Sequence, residues 1–124
     1  MTREEIQDLK GRALDLAVHT EVMGNDMKGY RWPKHGPGPA MVKVRDGFVR
    51  WIDIPYYSKD MNAAMEAVNK FDLNTFNLNW LDASNSHGEG WHCKLGEAHA
   101  VRCKTAPEAI CKAALLAVLG EEKA

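Results

Sequence analysis

An α+β fold, built as an antiparallel sheet of about four to five strands with helices packed on it, follows from three features of the 124-residue sequence. The first is the terminal stretch Thr105 to Gly120 (TAPEAICKAALLAVLG), which carries both of its own helix ends. Thr105 and Glu108 form a capping box, Pro107 lies in the first turn, and Gly120 can supply a left-handed C-cap. The second is a pair of alternating segments on either side of short turns, MVKVR and FVRWIDI about Asp46-Gly47, and Trp91–Leu95 and Ala98–Lys104 about Gly96-Glu97. The third is element order: helix, hairpin, helix, three short strands, helix. A terminal helix striped by Ile110, Ala113, Ala114, Ala117 and Val118 needs a flat apolar partner, and the sheet is the simplest one.

The remaining elements follow in chain order. Thr2 and Glu5 form a second capping box that opens a short helical segment over Met1 to Lys10, and Gly11 interrupts it. A principal helix is expected from about Arg12 to Met23, with Ala13, Leu16, Ala17 and Thr20 on one face, broadened by Leu14, Val18 and Val22. Gly24 ends it. Asn25 to Pro39 (NDMKGYRWPKHGPGP) has no periodicity and reads as a loop. In the first hairpin Val42 and Val44 face one side, Lys43 and Arg45 the other, and Arg50 shares a face with Phe48 and Ile52. Ser58 is expected to cap the next helix, with Asp60 in its first turn and a core face of Met61, Ala64, Met65, Val68 and Phe71. Asn74 to Leu81 alternates strictly, Phe76, Leu78 and Trp80 against Thr75, Asn77 and Asn79, as a half-buried strand does. Asp82 to Gly90 is a turn-rich loop. In the last hairpin Trp91, Cys93 and Leu95 share one face, and so do His99, Val101 and Cys103, while His92 and Lys94 point the other way.

Composition narrows the function classes. Hydrophobic residues make up 45% and charged residues 27%, the balance of one ordinary globular domain spanning residues 1–124. Membrane insertion is not expected, since no apolar run approaches the roughly 18 residues of a span. The N-terminus, MTREEIQDLKG, lacks the apolar core of a secretory signal, so a cytoplasmic location is expected. Sixteen basic and 17 acidic residues give a net charge of −1, which leaves no global field for non-specific nucleic-acid binding. Cys93, Cys103 and Cys111 are odd in number and lack CxxC spacing, so they read as reduced structural thiols. No nucleophile elbow, dinucleotide fingerprint, phosphate loop or HExxH is present, hence no catalytic residues and no cofactor are assigned.

The irregular segments hold the candidate binding residues. Tyr30, Arg31, Trp32, Lys34 and His35 crowd one loop, and Arg45 and Arg50 stand at the tip of the first hairpin. Aromatic faces stack on bases and cationic groups meet phosphates, so this set would suit a nucleotide-like small molecule without any global positive charge. The alternative is that Trp32 folds back over the core edge and the charges are solvated. His87, His92, Cys93 and His99 lie close in sequence, but their spacing matches no zinc template, and no metal is assigned. Cys93 could meet His99 across the last hairpin as a thiol–imidazole pair, whereas Cys93 and His92 are adjacent on a strand and point apart.

Three stretches carry a resemblance: LDLAVHTEVMG (Leu14–Gly24), YYSKDMNAAMEAVNKF (Tyr56–Phe71) and GEAHAVRCKTAPEAICKAALLAVLG (Gly96–Gly120). In that order they resemble the phage ABA sandwich domain family, over about nine tenths of the chain. The chain departs from the family pattern at Asn25, where an aromatic residue is usual, and at Met65, often a tryptophan. The resemblance implies a three-layer α/β/α sandwich and a phage or prophage origin; it implies no chemistry. The leading reading is a non-enzymatic phage accessory protein that binds a small ligand or a host protein, as a homo-oligomer. One alternative is an oligomeric sponge that sequesters a cyclic nucleotide immune signal. Another is a minor hydrolase in which His92 or His99 acts as general base beside Glu89 or Glu97.

Overall fold

A computed structural model describes residues 2–71, 75–82, 84 and 88–119. Gly120 as C-cap, His87, and the Asn74 start of the third strand lie outside them. The elements are α1 (Arg3–Asp8), α2 (Gly11–Ala17) continued by a π-helical turn (Val18–Val22), β1 (Ala40–Arg45), β2 (Phe48–Asp53), α3 (Met61–Val68), β3 (Phe76–Leu81), β4 (Gly90–Leu95), β5 (Ala98–Cys103) and α4 (Ala106–Leu119). This is an α+β fold with five strands, all antiparallel. They form two sheets, β1-β2 and β3-β4-β5.

The core is organised about α4. Ala109 to Leu116 are buried at every position, so the helix is enclosed on all sides and its apolar stripe is wider than periodicity suggested. Strands β4 and β5 cover one side, and α1, α2, the π turn and α3 cover the other. The expected stripe ends early, because Ala117 is half-buried and Val118 exposed. Thr105 caps the other end, accepting the Glu108 N–H on Oγ1 at 3.3 Å, while Glu108 Oε1 accepts the N–H of Lys104, one residue before the expected partner, at 3.0 Å.

Two helices are rotated from their expected faces. On α3 the buried residues are Ala63, Ala64, Ala67 and Val68, with Met65 and Phe71 half-buried and Met61 exposed. Small alanines let α3 lie close against α4, and the longer methionines are displaced to the rim. Asp60, rather than Ser58, caps this helix by accepting the Asn62 N–H at 3.0 Å. On α2 the buried set is Leu14, Asp15 and Ala17, followed by Val18, while Ala13 is exposed. A buried acid on that face is what the hydrophobic pattern concealed. The π turn closes with Met23 N–H to Val18 C=O at 3.0 Å, and Thr20 Oγ1 donates to Leu16 C=O at 3.0 Å. Gly24 then takes φ +78°, as a helix terminator does.

A bulge sets the faces of the last hairpin. The register runs Leu95↔Ala98, Lys94↔His99 and Cys93↔Ala100, then shifts so that Trp91 faces Cys103. Arg102 at φ 58° takes up the extra residue. Ala98, Ala100 and Cys103 therefore point into the core with Cys93 and Leu95, and His99 points out; the expected grouping of His99 with Cys103 does not hold. Gly90 makes the bulge feasible. A Cβ there would lie 2.8 Å from the Arg102 Cα, and its φ of +141° excludes other residues without strain.

Candidate functional site

The loop and hairpin that carry the expected contact residues are anchored by a side chain that sequence reading did not select. Arg12, at the start of α2, donates to the carbonyls of Gly38 (3.1 Å), Pro39 (3.3 Å), Ile54 (2.6 Å) and Pro55 (3.2 Å). Its guanidinium carbon lies 3.9 Å from the Tyr56 ring centroid and 5.2 Å from that of Trp32. It also pairs with Asp15 at 2.7 Å, and Asp15 accepts the Ser58 N–H at 2.7 Å. A planar guanidinium with several donors in fixed directions suits such a hub. Arg12 thus ties the Asn25–Pro39 loop and the β1-β2 sheet to the helical body, and Trp32 is a half-buried packing residue on that hub.

The other proposed ligand contacts separate into two shallow hollows. Arg31, Trp32 and Lys34 line one of about 300 Å³ with Pro33 and Val42, where Arg31 and Val42 exchange backbone hydrogen bonds of 2.9 and 2.8 Å. Arg45 and Arg50 line another of about 330 Å³ with Lys43, Asp46 and Phe48, and Lys43 Nζ sits 5.5 Å from the Tyr30 ring. His35 is exposed on the loop and lines neither hollow.

A wider hollow, about 720 Å³, lies elsewhere. It opens between the α1-α2 junction, Ser58-Lys59, β5 and the start of α4. Five cationic residues line it, Lys10, Lys59, Arg102, Lys104 and Lys112, against the two acids Asp8 and Glu108. Lys112 is buried at its base, donating to Gln7 C=O at 2.6 Å and pairing with Glu108 at 3.0 Å, which locks α1 to α4. Sequence reading missed this groove because its residues come from three distant segments, within 7–11, 58–59 and 100–112. The one visible signal was Lys112, a charge inside an apolar run, four positions after Glu108.

The titratable groups are set by burial. Burial, with Cys103 nearby, pushes the Cys93 thiol up to about 12. Burial and the Glu108 charge push Cys103 up to about 11, with Lys112 opposing, and burial likewise raises Cys111. These are neutral thiols at physiological pH, and the Cys93–His99 pair does not form because the two lie on opposite faces of the sheet. His92 and His99 instead meet on the outer face, their Nε2 atoms hydrogen-bonded and their ring centroids 4.0 Å apart. Among the described residues no group of three or more His, Cys, Asp or Glu converges as a metal site. His19 Nδ1 lies 3.0 Å from the Tyr57 hydroxyl. Burial lowers His19, and burial with the Glu66 charge raises Tyr57 to about 12, which favours the neutral form of both rings where they meet.

With this geometry in view, comparisons with known proteins fix the family. A family model for the phage ABA sandwich domain matches residues 17–115. The chain belongs to the phage ABA sandwich domain family. This phage ABA sandwich protein is also similar to a phage protein from Bacillus cereus ATCC 14579 of known crystal structure, at 23% identity and a TM-score of 0.52, covering 86% of this chain and 90% of that one. That likeness concerns the fold. No curated protein matches the chain. In this ABA sandwich no described helix is long and apolar enough to cross a membrane.

Proposed function

We propose that this phage protein acts by binding, and that it takes an anionic, phosphate-bearing small molecule in the groove lined by Lys10, Lys59, Arg102 and Lys104. The observation that carries this reading is the surplus of cations around this hollow of about 720 Å³, in a chain whose net charge is −1. Its volume is within the range of small-molecule sites, and a local cluster suffices for a small anion where a polyanion would need an extended field. Buried neutral thiols and a histidine pair on a different face supply no nucleophile to this groove. A sponge for a cyclic nucleotide signal is the specific form that a phage accessory role would take here.

Titration calorimetry with tripolyphosphate, ATP and cyclic dinucleotides tests the proposal. Binding should be lost in Lys59→Glu and Lys104→Glu, both exposed positions whose substitution leaves the melting temperature within a degree or two. Heating the loaded protein should then release intact nucleotide; recovery of a hydrolysed product would instead establish an enzyme. A second reading has the hollow beside Arg45 and Arg50 as the site. It is favoured if Arg45→Ala with Arg50→Ala removes binding and Lys59→Glu does not. The absence of any thermal shift at ligand far above micromolar concentration would overturn both and leave a protein partner.

A further inference from the structure

The β1-β2 sheet has one edge closed and one open. Arg45 and Phe48 flank the two-residue turn and form its closing hydrogen-bonded pair, so alternate residues of β2 divide by direction. Arg50 and Ile52 turn their N–H and C=O groups to β1, while Val49, Trp51 and Asp53 turn theirs outward. The matching outward edge of β1 is capped by Arg31, which exchanges both bonds with Val42. Among the described residues no backbone hydrogen bond reaches the outward edge of β2. The side chains there are large and apolar: Phe48 is 79% exposed, and Val49 and Trp51 are each 58% exposed. Natural edge strands are ordinarily blunted by proline, charge or a covering segment; this one has Arg50 and Asp53, but no proline and, among the described residues, no covering segment.

We infer that β2 pairs with β2 of a second copy of this chain, antiparallel about a two-fold axis through Trp51, making one four-stranded sheet. An antiparallel edge is self-complementary under such an axis, because the same outward groups are presented by both copies. Three registers match at least two outward residues, centred on Arg50, Trp51 or Ile52, and of these the Trp51 centre alone matches all three of Val49, Trp51 and Asp53. Centring on Arg50 sets two guanidiniums directly opposite each other. Centring on Trp51 instead sets Arg50 opposite Ile52 of the other copy and Asp53 opposite Val49, and joins the two indoles as a cross-strand aromatic pair. Val42, Val44, Val49 and Trp51 of each copy then share one face, with Asp53 of the other copy beside Val49. A six-residue edge covers less than the about 800 Å² per partner of a stable interface, so the dimer forms and dissociates with concentration.

Sedimentation velocity on the full chain tests this. The mass should rise with concentration from 13.9 kDa towards twice that value. Trp51→Lys, which sets two ammonium groups opposite each other, should remain monomeric with an unchanged far-ultraviolet spectrum. If that variant fails to fold, cysteine pairing decides: Trp51→Cys should oxidise to a covalent dimer and Arg50→Cys should not, the native cysteines being buried. A wild-type chain that stays monomeric at millimolar concentration, a folded Trp51→Lys that still dimerises, or cross-linking through Arg50→Cys in place of Trp51→Cys would each overturn the inference.

Discussion

The two sheets of this protein are built from similar strands and end in opposite conditions. In β3-β4-β5 the inward residues Cys93, Leu95, Ala98 and Ala100 are nearly inaccessible because α4 lies on them. In β1-β2 the residues beyond Met41 and Val42 are open on both faces, and β2 has no fully buried residue. The first sheet is held by an area of apolar contact; the second is held by one end, through Arg12 and the loop packed on it. The difference teaches that alternation describes a strand, while burial depends on whether another element lies over it.

The largest test of that contrast is to cut the tether. Arg12→Ala leaves Asp15 buried without its partner and should cost about 3–5 kcal/mol, with hydrogen exchange in β1 and β2 rising more than in β4 and β5. Equal loss of protection in both sheets would show that they are a single cooperative unit. Leu115→Ala, in the enclosed part of α4, should cost about 2–5 kcal/mol in urea denaturation and reduce protection of the three-stranded sheet first. Gly90→Ala acts on the bulge alone and should cost about 1–3 kcal/mol, since its Cβ has no room beside the Arg102 backbone.

A smaller effect comes from the π turn. His19 is lowered by burial from its ordinary 6.5, so the unfolded chain takes up a proton more readily than the folded one. Stability should be full above that value and fall as the pH drops below it, and His19→Gln should flatten that part of a melting-temperature profile. A profile unchanged by the substitution would remove His19 as the cause. The smallest effect belongs to the hairpin surface, where Phe48→Ser should change monomer stability by less than about 0.5 kcal/mol.

The legible part of the fold was local. Thr2, Glu5, Thr105 and Glu108 are caps whose partners lie within three or four residues, and Asp46-Gly47 forms its turn with φ of 51° and 81°. The faces were less legible. The Arg102 bulge turned Cys103 inward, away from the face of His99, and nothing in AHAVRC marks the extra residue. The sequence left Trp32 either as a ligand contact or as a residue folded over the core edge, and its place beside Arg12, twenty positions earlier, has no local signature. The groove was hidden for the same reason, since Lys10, Lys59, Arg102 and Lys104 are neighbours only after folding.

By itself the sequence determined which segments are helix and strand, where the caps and hairpin turns fall, and the family. Those choices depend on dihedral preference and on hydrogen bonds between near neighbours. Tertiary structure alone decided that α4 is covered on all sides, that five strands divide into two sheets, and that distant cations share one hollow. Burial and electrostatics sum over everything within a few ångströms in space, and the chain order does not carry that distance.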